Sequence, residues 1–220
     1  MSTHEPAVKA PTRILLAGTG GQGVITAAKL LSDFFVERGH EVVSGQLHGM
    51  AQRGGAVQSS VLVDCGMSPI IPRGGADVVL GFEPAETARA LPFISAGTVV
   101  LMNTAPVIPF ILSQQFVLKK GDGLYPDIDT LTGSIHAITP FLFTLPVTHI
   151  AEEAGAAKSV NIIMLGCLFG AGVLPYSPDD FLGSVMRKAP PHIAEKNTAT
   201  FLLGVDVGRT ISLPERIPCP

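Results

Sequence analysis

The chain has 220 residues, of which 46% are hydrophobic, only 15% are charged and three are cysteine, with a formal net charge of −3. This length and composition predict one sizeable core without disorder, and the absence of a basic run with interleaved aromatics argues against nucleic acid as a partner. The charged fraction lies below the share of about 25% that is usual in globular proteins, which predicts a surface partly covered by another protein.

The N-terminal segment, residues 1–11, is predicted to be a flexible tail. It lacks a basic stretch followed by an apolar one, so the sequence predicts no secretory signal and a cytoplasmic protein.

The first folded element is an apolar strand that starts at Arg13 and runs into a G-x-G-x-x-G turn over Gly18–Gly23. A helix follows, with an apolar stripe at helical spacing from Val24 to Phe35. Two interpretations are open: the turn binds an anion at the helix N terminus, or its glycines only let the helix pack closely on the strand.

A dinucleotide enzyme also needs an acid roughly 20 residues further on, at the end of the second strand. The predicted second strand, residues 41–46, carries its only acid, Glu41, at the opposite end. The end expected to face the turn holds Ser44, Gly45 and Gln46, so the sequence disfavours ordinary NAD binding.

A second glycine turn, His48–Gly55, precedes a strand predicted over residues 56–63 with one exposed face. Within the turn, Arg53 stands next to Gly54 with little steric cover. Its guanidinium is either simply solvated or suited to bind a carboxylate or phosphate.

Two nearly continuous apolar runs, residues 76–82 and 98–103, are typical of parallel strands covered on both faces. A short helix is predicted between them from Pro84 to Leu91. Glu83 is either the N-cap of that helix or a ligand-facing residue at the carboxyl end of a strand.

Residues 116–123 are predicted to form an irregular excursion or hairpin. Gly121-Asp122-Gly123 matches the start of a thiamine diphosphate motif, in which the Asp and a downstream Asn hold Mg²⁺. Lys119 and Lys120 replace the apolar strand end of that motif, and Asp-Gly is common in hairpins. We therefore interpret the match as accidental.

The last third of the chain is predicted to be helical, over residues 147–154, 159–170, from 177 onward, and 191–203. Its longest apolar run, residues 162–174, is too short to cross a membrane. Together these elements predict an α/β, Rossmann-like, three-layer fold with a mostly parallel sheet, as one domain over residues 12–211 and a C-terminal tail over 212–220.

The residue types that usually carry catalysis or metal binding form no motif in this chain. The three cysteines have no C-x-x-C spacing, which excludes a self-contained four-thiolate iron–sulfur site. The six histidines never pair at i, i+4 spacing, and no G-x-S-x-G elbow occurs. The sequence predicts no catalytic residue and no metal site.

Four blocks of sequence in this order carry a family resemblance: Gly18–Val24, His48–Gly55, Gly74–Pro84 and Asn161–Gly166. Together they resemble the gamma subunit or domain of 2-oxoacid:ferredoxin oxidoreductases, over about residues 12–205. The His48-Gly49-Met50 version looks most like the small beta subunit of indolepyruvate:ferredoxin oxidoreductase.

The resemblance implies a subunit, inactive alone, of an enzyme that decarboxylates a 2-oxoacid, passes electrons to ferredoxin and forms an acyl-CoA. In that family thiamine diphosphate, Mg²⁺ and 4Fe–4S clusters belong to partner subunits, and ferredoxin is an indirect partner. Coenzyme A is a candidate ligand at the subunit interface, where its diphosphate would meet the first turn. The implied cofactor-binding residues are Gly18, Gly20, Gly21, Gln22 and Gly23, and the implied partner-facing residues are His48, Gln52, Arg53, Gly54, Gly55, Glu83 and Asn161.

Two other classes stay open at this point. A free-standing nucleotide-binding oxidoreductase would carry a tightly bound nicotinamide or flavin, and a non-catalytic regulatory α/β protein would purify without cofactor-bearing partners.

Overall fold

The computed structural model describes residues 12–48, 54–107, 125–186 and 190–213. Its strands are β1 (Thr12–Thr19), β2 (Val42–His48), β3 (Ala56–Val63), β4 (Val78–Gly81), β5 (Val99–Asn103) and β6 (Leu142–Leu145). Its helices are α1 (Val24–Glu37), α2 (Pro84–Arg89), α3 (Ile128–His136), α4 (Val147–Glu153), α5 (Val160–Gly170), α6 (Pro178–Met186) and α7 (Pro191–Gly208). The predicted N-terminal tail, the hairpin over residues 116–123 and most of the predicted C-terminal tail lie outside the described residues.

The six strands form one sheet in the order β2-β3-β1-β4-β5-β6. Strands β1, β4, β5 and β6 pair in parallel, whereas β3 runs antiparallel to both of its neighbours, β1 and β2. Within the described ranges, β3 is therefore the only strand that runs against the others. The predicted mostly parallel α/β sheet is confirmed.

The position of β3 corrects two expectations. Because β3 lies between β1 and β2, the second strand is an edge strand and does not border the first glycine turn as in a dinucleotide-binding fold. The prediction that β3 has one exposed face is also wrong. Ser59 and Ser60 are both buried, and the Ser60 hydroxyl donates to the carbonyl of Pro69 at 2.7 Å.

Apolar side chains of β1 alternate between two cores, which makes the fold three-layered. Ile14 and Leu16 pack in the cluster that contains α1 and the C-terminal helices, whereas Leu15 and Ala17 pack in a cluster with Ile135 of α3. Both faces of the strand are covered, as expected for an apolar strand inside a sheet.

The first two helices follow the sequence signals closely. The α1 stripe is buried as predicted, and the chain leaves the helix through Gly39, whose φ is +78°. Helix α2 ends at Arg89 instead of Leu91, and a 3₁₀ turn over Leu91–Phe93 follows. Pro92 explains the difference, because a proline disfavours helical backbone in the residue before it.

The C-terminal helices pack unusually closely at glycine positions. A Cβ atom added to Gly204 of α7 would lie 2.0 Å from the carbonyl oxygen of Ile163, and one added to Gly166 of α5 would lie 2.2 Å from that of Phe201. The backbones of α5 and α7 are therefore in direct contact. Over the ranges described above, no helix is both long and apolar enough to cross a membrane.

Candidate functional site

The two glycine turns meet at the carboxyl end of β1. The backbone N–H of Gly20 donates to the carbonyl of Gly55 at 2.8 Å, and the N–H of Gly54 donates to the carbonyl of Gly20 at 3.2 Å. The structure thus brings together two of the predicted blocks. Gln52, Arg53 and the side chain of His48 lie outside the described residues.

The side chain of Gln22 ties the first turn to the end of β4. Its Oε1 accepts hydrogen bonds from the Thr19 N–H at 2.8 Å and the Thr19 hydroxyl at 3.1 Å. Its Nε2 donates to the carbonyl of Phe82 at 2.9 Å. Gln22 therefore fixes the conformation of the turn from inside, with both ends of its amide engaged.

Close packing requires glycine at two positions of the turn. A Cβ atom at Gly18 would lie 2.7 Å from Cβ of Phe82, and one at Gly23 would lie 2.8 Å from the side chain of Asn161. At these two residues the close approach that the packing interpretation requires is present. Gly21 differs, because its φ is +103° and an added Cβ would meet no atom within 4 Å.

The N terminus of α1 offers backbone donors beside that open space. No side chain caps the helix, whose N-cap is Gly23 in the left-handed conformation. The first N–H groups of a helix lack partners within the helix, and its dipole favours an anion there. The chain around Gly21–Gly23 can thus accept an anionic group from outside the turn.

Asn161, at the start of α5, lies against this helix end. The residue is 7% exposed, its amide would lie 2.8 Å from a Cβ atom built on Gly23, and its side chain has no hydrogen-bond partner within the described parts of the chain. The amide keeps some access to solvent, since the fully buried side-chain polar atoms without a partner among the described residues are Ser59 Oγ and Glu86 Oε2. Asn161 is therefore the described side chain best placed to donate to an anion at the α1 N terminus.

Glu83 caps α2, which confirms the N-cap interpretation. Its Oε2 accepts from the N–H of Glu86 at 2.8 Å, and its Oε1 accepts from the hydroxyl of Tyr125 and from the N–H of Val107 at 3.3 Å. The residue is 1% exposed. Burial, followed by the hydrogen bond to Glu83 and its charge, raises the pKa of Tyr125.

Asn103 at the end of β5 completes the polar network and was not predicted from the sequence. Its Nδ2 donates to the Phe82 carbonyl at 3.0 Å and to the Thr148 hydroxyl at 2.8 Å, while its Oδ1 accepts from the Thr148 N–H at 3.1 Å. The sequence signal that could have pointed to Asn103 is that it is the polar residue at the end of an apolar strand. The Phe82 carbonyl thus accepts from both Gln22 and Asn103.

The only His–Asp–Tyr arrangement in the described ranges lies at the other end of α1. His40 Nδ1 is 2.7 Å from Asp64 Oδ2, and its Nε2 bonds to the hydroxyl of Tyr176. With a rise of about 1.5 Å per residue, the 14-residue helix separates this cluster from the glycine turn by roughly 20 Å. We assign it to the packing of α1.

Two of the three cysteines fall within the described residues, and both are free thiols. Burial raises the pKa of Cys167 to about 12, so this thiol stays protonated. Among the described residues, no three His, Cys, Asp or Glu side chains converge as metal ligands. The described part of the site consists of backbone donors, side-chain amides and the Glu83 carboxylate that caps α2.

Comparison with known proteins places this arrangement in a family. Residues 13–207 match the family described as pyruvate ferredoxin/flavodoxin oxidoreductase. The chain belongs to this family. The resemblance predicted from the four sequence blocks is thereby confirmed.

Individual members of the family match over most of their length. The chain is 32% identical over 191 residues to the indolepyruvate oxidoreductase subunit IorB of Archaeoglobus fulgidus, covering 87% of this chain and 92% of that subunit. It is 26% identical over 203 residues to the 2-oxoglutarate synthase subunit KorC of the same organism, covering 92% of this chain and 90% of KorC.

Solved structures of the family share the fold. The gamma subunit of a keto/oxoacid ferredoxin oxidoreductase from Geobacter sulfurreducens superposes with a TM-score of 0.62 at 20% identity, covering 91% of this chain and 99% of that one. A 2-oxoglutarate:ferredoxin oxidoreductase from Magnetococcus marinus gives 0.68 at 19% identity, covering 93% of this chain and 32% of that one.

Proposed function

We propose that this chain is the small, gamma-type subunit of an indolepyruvate-type 2-oxoacid:ferredoxin oxidoreductase. In the assembled enzyme the 2-oxoacid is oxidatively decarboxylated to an acyl-CoA and the electrons pass to ferredoxin. The observation that carries the proposal is the match to IorB at 32% identity over nearly the whole length of both chains. The family match over residues 13–207 extends through the glycine turns and the strand ends that form the candidate site.

The residues of this chain do not fit the redox groups of such an enzyme. A 4Fe–4S cluster takes four thiolates, whereas the chain has three cysteines and holds Cys167 protonated inside α5. We propose that thiamine diphosphate, Mg²⁺ and the clusters are carried by partner subunits. On this account the chain alone has no activity.

The start of α1 does fit the diphosphate of coenzyme A. Gly21 leaves open space in front of the helix, the helix N terminus is uncapped, and the Asn161 amide is unpartnered beside it. Backbone N–H groups and a neutral amide bind phosphate oxygens without bringing a charge of their own. We propose that this chain holds the diphosphate while the thiol end of coenzyme A reaches into the partner.

Asn161→Asp tests the coenzyme A site. The substitution keeps the shape of the side chain but puts a carboxylate where the diphosphate would lie. A carboxylate at this place interacts favourably with the dipole at the N terminus of α1, so we expect the variant to fold. Its repulsion of the diphosphate should lower the coenzyme A affinity of the assembled enzyme at least about tenfold. Arg209→Gln, which removes one exposed positive charge at the end of α7, is the control. Equal affinity of both variants and the wild type for coenzyme A, by calorimetric titration, would eliminate this site.

The subunit role is tested by turnover. The purified chain alone should reduce no ferredoxin with any 2-oxoacid, and adding the thiamine- and cluster-bearing subunit should give activity dependent on both proteins. Turnover by the isolated chain, or full activity of the partner without it, would refute the proposal.

A further inference from the structure

An apolar pocket of about 330 Å³ lies on the sheet face opposite α1, beside the edge strand β2. Its buried lining includes Leu15 and Ile71, whereas Leu47 and Ile70, 73% and 75% exposed, stand at its rim. None of its described lining residues is charged; the lining also includes Gly45, Gln58, Ser60, Pro69 and Phe93. A pocket of this volume and lining can receive an apolar group of another molecule.

The strand beside the pocket has an unpaired edge. Among the described residues β2 is hydrogen-bonded to β3 alone, and its other edge has no strand neighbour. Residues 42–48 contain no Lys, Arg, Asp, Glu or Pro, which are the residues that usually protect an edge from pairing. The edge can therefore accept an added strand, with the pocket beside it to receive a side chain.

The pocket also contains a free polar group. Gln58 and Ser60 are two residues apart on β3 and so point to the same face as Leu15. Ser60 is bonded to Pro69, but the half-buried amide of Gln58 has no hydrogen-bond partner in the described ranges. It is available to a backbone group of an incoming segment.

The pocket lies near the glycine turns. The turns are bonded together at Gly55, and Gln58 follows three residues later on β3, about 10 Å away at the rise of a strand. An interface of ordinary size buries about 800 Å² on each partner, which is enough to span both features. A protein that docks on the turns thus also reaches the pocket.

We infer that the cofactor-bearing partner subunit adds an extended, uncharged segment along the edge of β2 and inserts an aliphatic or aromatic side chain between Leu47 and Ile70. The inference rests on the proposed function, because it assigns the occupant to the subunit that completes the enzyme. It explains both the exposed apolar rim and the low charge of the chain.

The test uses the enzyme assembled from its separated subunits. Leu47→Glu and Ile70→Glu change exposed residues and should leave the chain folded, yet each should weaken binding of the partner at least about tenfold. Val36→Glu, on α1 at 58% exposure, introduces the same charge in place of an exposed aliphatic residue and should bind as the wild type does. Hydrogen exchange should show the outward-facing amides of β2, which do not bond to β3, protected in the complex and unprotected in the free chain.

Four outcomes separate the alternatives. Weakened binding of both rim variants with new protection of β2 supports the inference. Unchanged binding and exchange overturns it while leaving the proposed function standing. A free chain that dimerises through β2, and keeps that dimer in the enzyme, assigns the edge to a second copy and also overturns it. Failure of the wild-type chain to bind the partner at all refutes the proposed function itself.

Discussion

Replacing Gly204 by alanine tests the contact between α5 and α7, whose backbones approach each other directly. The new methyl carbon would lie 2.0 Å from the carbonyl oxygen of Ile163 and 2.9 Å from Cα of Gly166. Both are backbone atoms, so no side chain can rotate away. The helices must separate by roughly 1 Å or more to restore an ordinary contact distance.

The expected change in the free energy of unfolding is the sum of two opposing effects. Overpacking costs about 1–3 kcal/mol or more, and the higher helix propensity of alanine returns up to about 1 kcal/mol. At the upper end of that cost the net loss is about 2 kcal/mol, which lowers Tm by roughly 4–8 °C in a protein of this size. Gly183→Ala is the matched control, because Gly183 lies in α6 with no atom within 4 Å of an added Cβ. It should raise Tm by about 2–4 °C.

Thermal unfolding by circular dichroism measures both variants. Gly204→Ala should lower Tm and Gly183→Ala should raise it. If Gly204→Ala stabilised the protein as Gly183→Ala does, the backbones of α5 and α7 would not be in contact.

Three further predictions concern the site and the buried ionisable groups. Gln22→Ala removes the partners of Thr19 and should lower the free energy of unfolding by about 1–3 kcal/mol in urea titrations; an unchanged midpoint would contradict the role of Gln22 in fixing the turn. Burial raises the pKa of Glu86 against the opposing charge of Arg89, and its Oε2 is buried without a partner. The stability that Glu86 gives is therefore present below its unfolded pKa and lost as the pH rises through its folded pKa. Glu86→Gln should be more stable than the wild type at about pH 8 and equally stable at about pH 4. A difference in stability between the two proteins that stayed constant with pH would be inconsistent with this titration. Cys167, with its pKa raised to about 12 by burial, should resist iodoacetamide in the native protein and react after unfolding, as followed by mass spectrometry; native labelling would show that α5 opens.

Local signals predicted the first half of the site well. The G-x-G-x-x-G turn, the α1 stripe and the N-cap role of Glu83 each depend on residues within a few positions of one another. Their physics is local: left-handed glycines, helical spacing and a side chain that accepts from the first turn of its own helix. These features appear in the structure, and for Glu83 the N-cap is one of the two roles that the sequence left open.

Features that depend on contacts between residues distant in the sequence were not predicted. The insertion of β3 between β1 and β2 follows from pairing across the chain, which no alternation within residues 56–63 encodes. Strand β6 was not predicted, because it has only four residues and is bounded by Pro140 and Pro146. Helix α3 was not predicted either. The bonds from Gln22 and Asn103 to the Phe82 carbonyl depend on how three strand ends meet. Periodicity along one segment carries no such information.

The most direct test of the account is isolation of the tagged chain from its native cells under anaerobic conditions, with thiamine diphosphate and iron measured per chain. We predict one defined complex in which both are present in fixed proportion to this chain, and a separated chain that contains neither. A native preparation of the chain alone, or one that holds its own complete redox centre, would contradict the central claim that it completes an enzyme whose reactive groups lie on its partner.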